Sequence, residues 1–323
     1  MNYRTLGTSD IKVSEISLGC WTLGGRNWVN GLSVGWADIN EAEAIQAVHF
    51  AIERGVTHFD NADVYGNGRS ERLLAKALGA KSKDVVVATK LGYFKGTAVH
   101  AYDPLHIRHQ CEQSLKNLNR DVIDIYYFHN ADFGPNDQYL EEAVQVMTQL
   151  KKEGKIRVIG QSDYSATAIC RVLPKVKPQV VQSWASALDD HYIREGSRLR
   201  EMMEKQKISY VAFSPLAQGL LLGKYHSQKP PKFSSGDHRE NASKFNAQNL
   251  TQLEPKLEKL KTRFGKTPQE LSRMALQYLL HYDFLACVIP GFRNEDQVRD
   301  HLFSADKPLS KDDVTFIRDI FTN

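Results

Sequence analysis

The order of strand-like and helical patterns along this chain predicts an α/β fold: a single (β/α)8 TIM barrel with a short N-terminal β-hairpin and a long loop after strand 7. Eight apolar runs of strand length recur along the 323 residues, and helical patterns fill the gaps between them. No Gly-x-Gly-x-x-Gly motif follows the first run, which argues against a Rossmann sheet. We therefore expect one domain over residues 1–323.

The strand predictions depend on short runs rich in apolar and β-branched residues. A hairpin is expected from residues 3–6 and 11–13. The barrel strands are expected at residues 16–21, 57–62, 85–91, 123–129, 158–162, 180–184, 210–215 and 287–290.

Helices are predicted where apolar residues recur three and four positions apart. Ala44, Ile45, Val48 and Ala51 show this spacing in the first helix. The expected helices span residues 41–54, 70–78, 105–118, 139–151, 166–173, 195–206 and 268–282. The longest irregular stretch, residues 217–250, follows the seventh strand and is expected on the catalytic face.

Composition excludes several classes of function. The formal net charge is only +4, and no dense Lys/Arg run indicates a nucleic-acid partner. No apolar stretch reaches the length of a membrane span, and no signal peptide is recognisable. Cys20, Cys111, Cys170 and Cys287 lie far apart without metal-ligand spacing, so we expect buried reduced thiols, no metal and a cytoplasmic location.

Four polar side chains stand at the ends of three successive predicted strands. They are Asp60, Tyr65, Lys90 and His129. In a barrel these strand ends meet on one face, where active sites are built. We expect Lys90 to lower the pKa of Tyr65, Asp60 to hold Lys90, and His129 to orient a carbonyl oxygen. Each residue alone is more often a turn or packing residue, but the four together indicate a proton donor to a carbonyl group.

Two segments give the chain a family resemblance. Residues 59–71 (FDNADVYGNGRSE) and 289–301 (IPGFRNEDQVRDH) resemble signatures of the aldo-keto reductases, and the resemblance runs from about residue 3 to about residue 302. It implies that the four residues above form a catalytic tetrad. Since none of them can supply hydride, it also implies a nicotinamide cofactor.

The resemblance further implies a set of cofactor-binding residues across the barrel mouth. They are Cys20, Trp21, Asp60, Ser162, Asp163, Gln182, Ser214, Pro215, Leu216, Gly219, Lys224, Arg239, Gly291, Arg293, Gln297, Asp300 and His301. Residues 214–224 resemble the family's pyrophosphate-binding segment, although alone they would be interpreted as a strand end and a turn. The guanidinium of Arg293 suits a 2′-phosphate, which favours NADP(H) over NAD(H).

Three cofactor positions depart from the family pattern. Asp163 replaces a common Asn, so an ionised carboxylate beside the nicotinamide would bind NADP⁺ relatively tighter than NADPH. Ala185 occupies the position where we expect an aromatic ring against the nicotinamide, with Trp184 as a candidate replacement. His301 replaces an adenine-binding Asn.

Aromatic residues near the predicted catalytic face suggest a small-molecule carbonyl or alcohol substrate, with ordinary loop packing as the alternative. The expected substrate-binding residues are Trp21, Trp28, Tyr65, Tyr93, His129 and Trp184.

The preferred functional prediction is an NADP(H)-dependent reductase of an aldehyde or ketone, sugar-derived or aromatic, with Tyr65 as the general acid. The alternative is a cofactor-binding regulatory subunit resembling the potassium-channel β subunits, with slow turnover. A phosphate-handling barrel isomerase is a third option, but its chemistry does not need these four side chains. Oligomeric state is left open.

Overall fold

The computed structural model describes residues 1–29, 31–303 and 305–322. Its strands are β1 (Tyr3–Thr5), β2 (Lys12–Ser14), β3 (Leu18–Gly19), β4 (Trp28–Val29), β5 (Leu32–Ser33), β6 (His58–Asp60), β7 (Val86–Leu91), β8 (Ile123–Phe128), β9 (Ile156–Ser162), β10 (Val180–Trp184), β11 (Ser209–Phe213) and β12 (Leu285–Ile289). Its helices are α1 (Glu41–Glu53), α2 (Arg69–Leu78), α3 (Pro104–Leu118), α4 (Leu140–Lys152), α5 (Ala166–Val176), α6 (Arg198–Gln206), α7 (Ala247–Phe264), α8 (Pro268–Leu280), α9 (Glu295–Leu302) and α10 (Lys311–Thr322).

Eight parallel strands form the barrel in the order β3-β6-β7-β8-β9-β10-β11-β12. Parallel bridges pair Ile16 with Val288 and Gly19 with Gly291, and so join the first strand to the last. The predicted α/β barrel is therefore confirmed, with strand bounds that shift by a few residues. Successive strands pair in sequence order, which places their C-terminal ends on one face.

The antiparallel β1–β2 hairpin packs its apolar residues into the barrel interior. Leu6, Ile11 and Val13 are buried in one cluster with Ile125 and Val158 from the barrel strands. One end of the barrel is thereby filled by side chains, and the site described below lies at the C-terminal strand ends.

Several helices begin with the side-chain caps that their sequences encode. Asn40 accepts backbone N–H bonds at the start of α1, and Asp103 does so before Pro104 in α3. Thr267 and Glu270 form a reciprocal capping box at α8, which begins at the predicted residue 268.

The structure adds elements that the sequence analysis did not predict. Helices α7, α9 and α10 were missed, as was the β4–β5 hairpin. Leu250, Leu257 and Leu260 of α7 are buried at helical spacing, although Pro255 lies inside the helix. The predicted long loop contains two 3₁₀ turns, Ala217–Leu222 and Ser243–Phe245, before α7 begins.

Across the described residues, no helix has both the length and the apolar character needed to cross a membrane. The four cysteines are free and buried.

Candidate active site

A buried ion pair lies at the floor of the barrel mouth. Asp60 ends β6, Lys90 lies near the end of β7, and both side chains are almost completely buried. The Lys90 ammonium contacts the Asp60 carboxylate and donates to the carbonyl oxygen of Asn61 at 2.6 Å. The second carboxylate oxygen of Asp60 accepts from Nε2 of Gln182 at 2.7 Å, across the barrel on β10. The pair is thus held from several strands at once.

Tyr65 lies directly above this pair. The Lys90 ammonium is 5.2 Å from the centroid of the Tyr65 ring. A tight turn carries the tyrosine: Gly66 has a φ of 61°, and a Cβ there would collide with the carbonyl oxygen of Gly24. Glycine is therefore required at position 66 for the turn to pack against residue 24. The Trp21 ring stacks on Tyr65 at 6.0 Å between centroids and fixes the other side of the phenol ring.

The expected lowering of the Tyr65 pKa is not found. Burial, followed by the negative charge of Asp60, raises the pKa of Tyr65 well above its usual value. Burial also lowers the pKa of Lys90, while Asp60 opposes that change. Burial of the phenol is the largest cause of this difference, and the ammonium expected to oppose it is in direct contact with the Asp60 carboxylate. Tyr65 is consequently a phenol, with a proton to donate.

His129 follows β8 and faces the Tyr65 ring edge-on, with 5.9 Å between ring centroids. Burial, with a smaller contribution from Lys90, lowers the pKa of His129 well below its usual value. The imidazole is therefore neutral and has one N–H to donate. Its Nδ1 is buried and has no hydrogen-bond partner among residues 1–29, 31–303 and 305–322.

These side chains open into a cavity of about 460 Å³ at the C-terminal ends of the strands. The predicted site residues that line it are Trp21, Asp60, Tyr65, His129, Ser162, Gln182, Ser214, Pro215, Leu216, Gly219, Lys224, Arg239, Gly291, Arg293, Gln297, Asp300 and His301. Residues from many strand ends and their loops therefore meet in one place, as the barrel prediction requires.

Lys224, Arg239 and Arg293, which we call the cation cluster, line this cavity. Burial, and next the Arg239 guanidinium, lowers the pKa values of both Lys224 and Arg293. Asp237 pairs with Arg239 through two contacts of 2.8 and 2.9 Å, and with Arg293 at 3.4 Å. Three positive charges thus crowd a partly buried wall, and the two arginines share the Asp237 carboxylate.

Residues 233–239, which we call the strap, connect this wall to the loop after β3. The backbone N–H of His238 donates to Gly35 at 2.8 Å, and the Ser33 hydroxyl donates to Gly236 at 2.6 Å. The His238 ring packs on Trp21 at 4.8 Å between centroids. The strap thus packs behind the side of the cavity that Trp36 and Arg239 line.

The segment after β11 has an unusual backbone. Ser214, Ala217, Gln218 and Gly219 all have positive φ values between 49° and 93°. Non-glycine residues in this region carry strain of about 1–3 kcal/mol each, and such strain is typical of ligand clamps. The N–H groups of Ala217 and Gly219 donate to the carbonyl oxygens of Ser214 and Leu216 at 2.8 and 2.9 Å, which holds this turn in place.

His301 lines the cavity but is buried and neutral. Burial lowers its pKa to about 4. Its Nε2–H donates to the carbonyl oxygen of Gly291 at 3.0 Å, so Nδ1 is the free acceptor beside the Ser272 hydroxyl.

Six predicted site residues do not line the cavity formed by the described residues. They are Cys20, Trp28, Lys90, Tyr93, Asp163 and Trp184. Cys20 and Lys90 are buried behind it, whereas Trp28 is 62% exposed on the β4–β5 hairpin. Tyr93 packs its ring on His129 at 4.6 Å and remains at the rim.

Two of these placements correct the cofactor predictions. The Asp163 oxygens accept the backbone N–H groups of Ala131 and Ser165, each at 2.7 Å, so the carboxylate closes a turn instead of facing the cavity. The basis for preferential NADP⁺ binding is therefore lost. Ala185 is fully buried, and the Trp184 indole donates to Tyr164 at 2.9 Å.

Phe213 is an aromatic residue of the cavity that the sequence analysis did not assign. It ends β11 and lines the cavity next to Ser214. The sequence contained the signal, since Phe213 directly precedes the Ser-Pro-Leu segment. Gln218 and Leu222 also line the cavity, within the predicted pyrophosphate-binding segment 214–224. Lining residues outside the predicted site residues and that segment are Gly19, Thr22, Trp36, Tyr164, Pro268, Ser272, Ile289 and Pro290.

The cavity fits a dinucleotide by its own chemistry. Phosphates would neutralise the crowded cation cluster. Apolar rings and a strand-end amide, from Trp21, Phe213 and Gln182, line the same space.

Comparison with known proteins identifies the lineage. The model of the Aldo/keto reductase family matches residues 15–321. The NADH-specific methylglyoxal reductase of Escherichia coli is 30% identical over 328 residues, covering 98% of this chain and 97% of that protein. A probable voltage-gated potassium channel subunit beta of Arabidopsis thaliana is 27% identical over 319 residues, covering 95% of this chain and 92% of that protein.

A solved structure agrees with these matches. The holo form of an aldo-keto reductase from Bacillus halodurans superposes with a TM-score of 0.76 at 26% identity, over 99% of this chain and 96% of that one. The barrel, the strand-end side chains and a family match over nearly the whole chain lead to one conclusion: this protein belongs to the aldo/keto reductase family of oxidoreductases.

Proposed function

We propose that the protein is an NADP(H)-dependent oxidoreductase that reduces an aldehyde or ketone to the alcohol. The observation that carries the proposal is the buried Asp60–Lys90 pair beneath Tyr65 and His129, at the floor of a cavity that also holds the cation cluster. This set can protonate a carbonyl oxygen and bind a phosphate-bearing cofactor in the same space.

In the proposed reaction, Tyr65 gives its phenolic proton to the substrate oxygen while hydride reaches the carbonyl carbon. The raised pKa keeps Tyr65 protonated until transfer, and the Lys90 ammonium then stabilises the phenolate that remains. Asp60 orients Lys90, so it acts as a positioning residue. Neutral His129 donates its N–H to the same substrate oxygen.

A bound nicotinamide cofactor supplies the hydride in this chemistry. Ser162 and Gln182, which line the cavity, would bind its carboxamide, and Phe213 would pack on its ring. The cation cluster would bind its phosphates. One aldehyde, one NADPH and one proton give one alcohol and one NADP⁺.

The preference for NADP(H) depends on the cation cluster. We expect Arg293→Gln to weaken NADPH binding by about 10- to 100-fold and NADH binding by less than about threefold, because only NADPH has a 2′-phosphate for a charge-assisted hydrogen bond. Isothermal titration with both cofactors measures this. Arg299→Gln is the matched control, since Arg299 is half-exposed and pairs with Glu295. Equal losses of NADPH and NADH affinity in Arg293→Gln would remove the basis for the preference. The comparison matters because the E. coli relative is named NADH-specific.

The protonation states predict a simple pH profile. Reduction needs Tyr65 protonated, so activity should persist below its raised pKa and fall as pH rises through it. The pKa of His129 lies well below its usual value of about 6.5, so His129 should add no transition to the profile near pH 6.5. We expect kcat/KM for reduction to be flat from about pH 6 to about pH 9. A loss of activity centred near neutral pH would contradict these assignments.

A second candidate is a regulatory subunit that holds the cofactor and turns over slowly. Two observations favour it. One relative is named as a potassium channel subunit. The strap is also hydrogen-bonded to Ser33 and Gly35 beside the cavity. Oxidation of NADPH over a panel of aliphatic, aromatic and hydroxylated aldehydes separates the candidates. Steady turnover well above one per cofactor bound supports the enzyme. Stoichiometric cofactor binding without turnover on any aldehyde supports the regulatory subunit.

A further inference from the structure

We propose that Tyr164 and Tyr93 form a hydroxyl-recognition rim that selects neutral carbonyl compounds with hydroxyl groups next to the carbonyl carbon. This inference rests on the proposed function, because it takes the reacting carbonyl to lie against Tyr65 and His129. It names the substrate class and a residue, Tyr164, that the family resemblance did not assign.

The position of Tyr164 is fixed by its surroundings. Its carbonyl oxygen accepts the Trp184 indole N–H at 2.9 Å, and its ring meets Phe213 edge-on at 5.1 Å. It lines the cavity and is nevertheless 58% exposed. The ring is therefore held at the mouth of the cavity, and more than half of the residue's surface is open to solvent.

Tyr93 stands on the other side of the catalytic histidine. Its ring packs edge-on against His129 at 4.6 Å, and it is 41% exposed. His129 in turn meets the Tyr65 ring edge-on at 5.9 Å, so Tyr93 packs on a side chain that neighbours the proton donor. Tyr164 lines the same cavity as Tyr65 and His129. Burial raises the pKa of Tyr93, which keeps this phenol protonated.

The two hydroxyl groups are available. Over the described ranges of the chain, neither phenol oxygen makes a hydrogen bond, whereas Tyr278 and Tyr282 both donate to Asp190. Since both phenols remain protonated, each has one O–H to donate and an oxygen that accepts. Such groups beside a reacting carbonyl match the hydroxyl groups of a substrate.

The remaining walls present apolar ring surface. The Trp21 indole N–H is already donated to the carbonyl oxygen of Val34 at 3.0 Å, so this side chain has no free polar group to offer the cavity. Rings of this kind pack on the C–H face of a polyhydroxylated chain. All the described lysine and arginine side chains that line the cavity belong to the cation cluster, which is grouped with Asp237 and Asp300. The substrate end therefore favours a neutral compound.

The proposed contact between a tyrosine hydroxyl and the substrate hydroxyls is tested by removing either partner. A Tyr→Phe change removes one oxygen from the protein, and propanal lacks the two hydroxyl groups of 2,3-dihydroxypropanal. Steady-state reduction of 2,3-dihydroxypropanal and of propanal is measured with the wild type, Tyr164→Phe and Tyr93→Phe. The control is Tyr3→Phe, because Tyr3 lies on the N-terminal hairpin and its hydroxyl donates to the carbonyl oxygen of Gly55. Because the two aldehydes hydrate differently in water, the variant-to-wild-type ratio is compared for each one separately.

We expect Tyr164→Phe to lower kcat/KM for 2,3-dihydroxypropanal by about two- to tenfold, mainly through KM, and to leave propanal within about twofold. Tyr93→Phe should act in the same direction, and Tyr3→Phe should change neither ratio. Equal losses on both aldehydes, or no loss on either, would overturn the rim while leaving the proposed reductase intact. Turnover of neither aldehyde by the wild type would contradict the proposed function and the rim together.

Discussion

Replacing Tyr65 with phenylalanine is expected to lower kcat for aldehyde reduction by about 100- to 10,000-fold, because the general acid is removed while the ring remains. The stacking with Trp21 and the packing above Lys90 depend on the ring, so the fold and the cavity should be preserved. Single-turnover rates of NADPH oxidation with a saturating aldehyde measure the effect.

Cofactor binding is the control for this variant. Tyr65→Phe should bind NADPH with an affinity within a few-fold of the wild type, since the cation cluster is unchanged. A variant that binds NADPH normally and retains more than about a tenth of the wild-type rate would show that Tyr65 is not the proton donor.

Replacing Lys90 with methionine is expected to affect both activity and stability. The change leaves the Asp60 carboxylate buried beside Gln182 without its cation, which should lower the free energy of unfolding by about 3–5 kcal/mol. The phenolate of Tyr65 also loses its stabilising ammonium, so kcat should fall by about 100-fold or more. Urea unfolding and steady-state kinetics measure the two effects separately.

The double variant Asp60→Asn/Lys90→Met separates folding from catalysis. It removes both charges, and the side-chain amide introduced at position 60 can still accept from Gln182, so most of the lost stability should return. Its kcat should stay low, because no cation lies beneath Tyr65. Wild-type kcat in either variant would contradict the proposed role of Lys90.

The barrel and the positions of the tetrad were predictable from the sequence because both depend on local periodicity. Asp60, Lys90 and His129 end apolar runs, and a parallel barrel brings such ends together whatever the details of the loops. The direction in which the pKa of Tyr65 shifts was not predictable, because it depends on the three-dimensional packing. Burial and the Asp60 charge raise this pKa, and the Lys90 ammonium was expected to lower it.

The cofactor wall was predicted less accurately, because side-chain direction beyond a strand end is set by tertiary contacts. Ala185 was assigned from its spacing after Gln182, yet the chain buries it and Phe213 lines the cavity instead. Asp163 was interpreted as a cofactor ligand, but its oxygens bond Ala131 and Ser165. Neither contact leaves a signal in local sequence.

The strap illustrates the same limit over a longer range. Ser33 and Gly35 bond Gly236 and His238 about 200 residues later, and Asp237 links two arginines. Sequence spacing indicated a functional loop after the seventh strand but not its partner. The pairing emerges only when the β4–β5 hairpin, itself unpredicted, is placed.

Transfer of deuterium tests the central claim most directly. The protein is incubated with an aldehyde and NADPH that carries deuterium on the transferring position of the nicotinamide, and the alcohol is analysed by mass spectrometry. We predict one deuterium on the carbinol carbon with the wild type and only trace label with Tyr65→Phe. Stoichiometric binding of NADPH with no labelled alcohol from any aldehyde in the panel would contradict the reductase assignment.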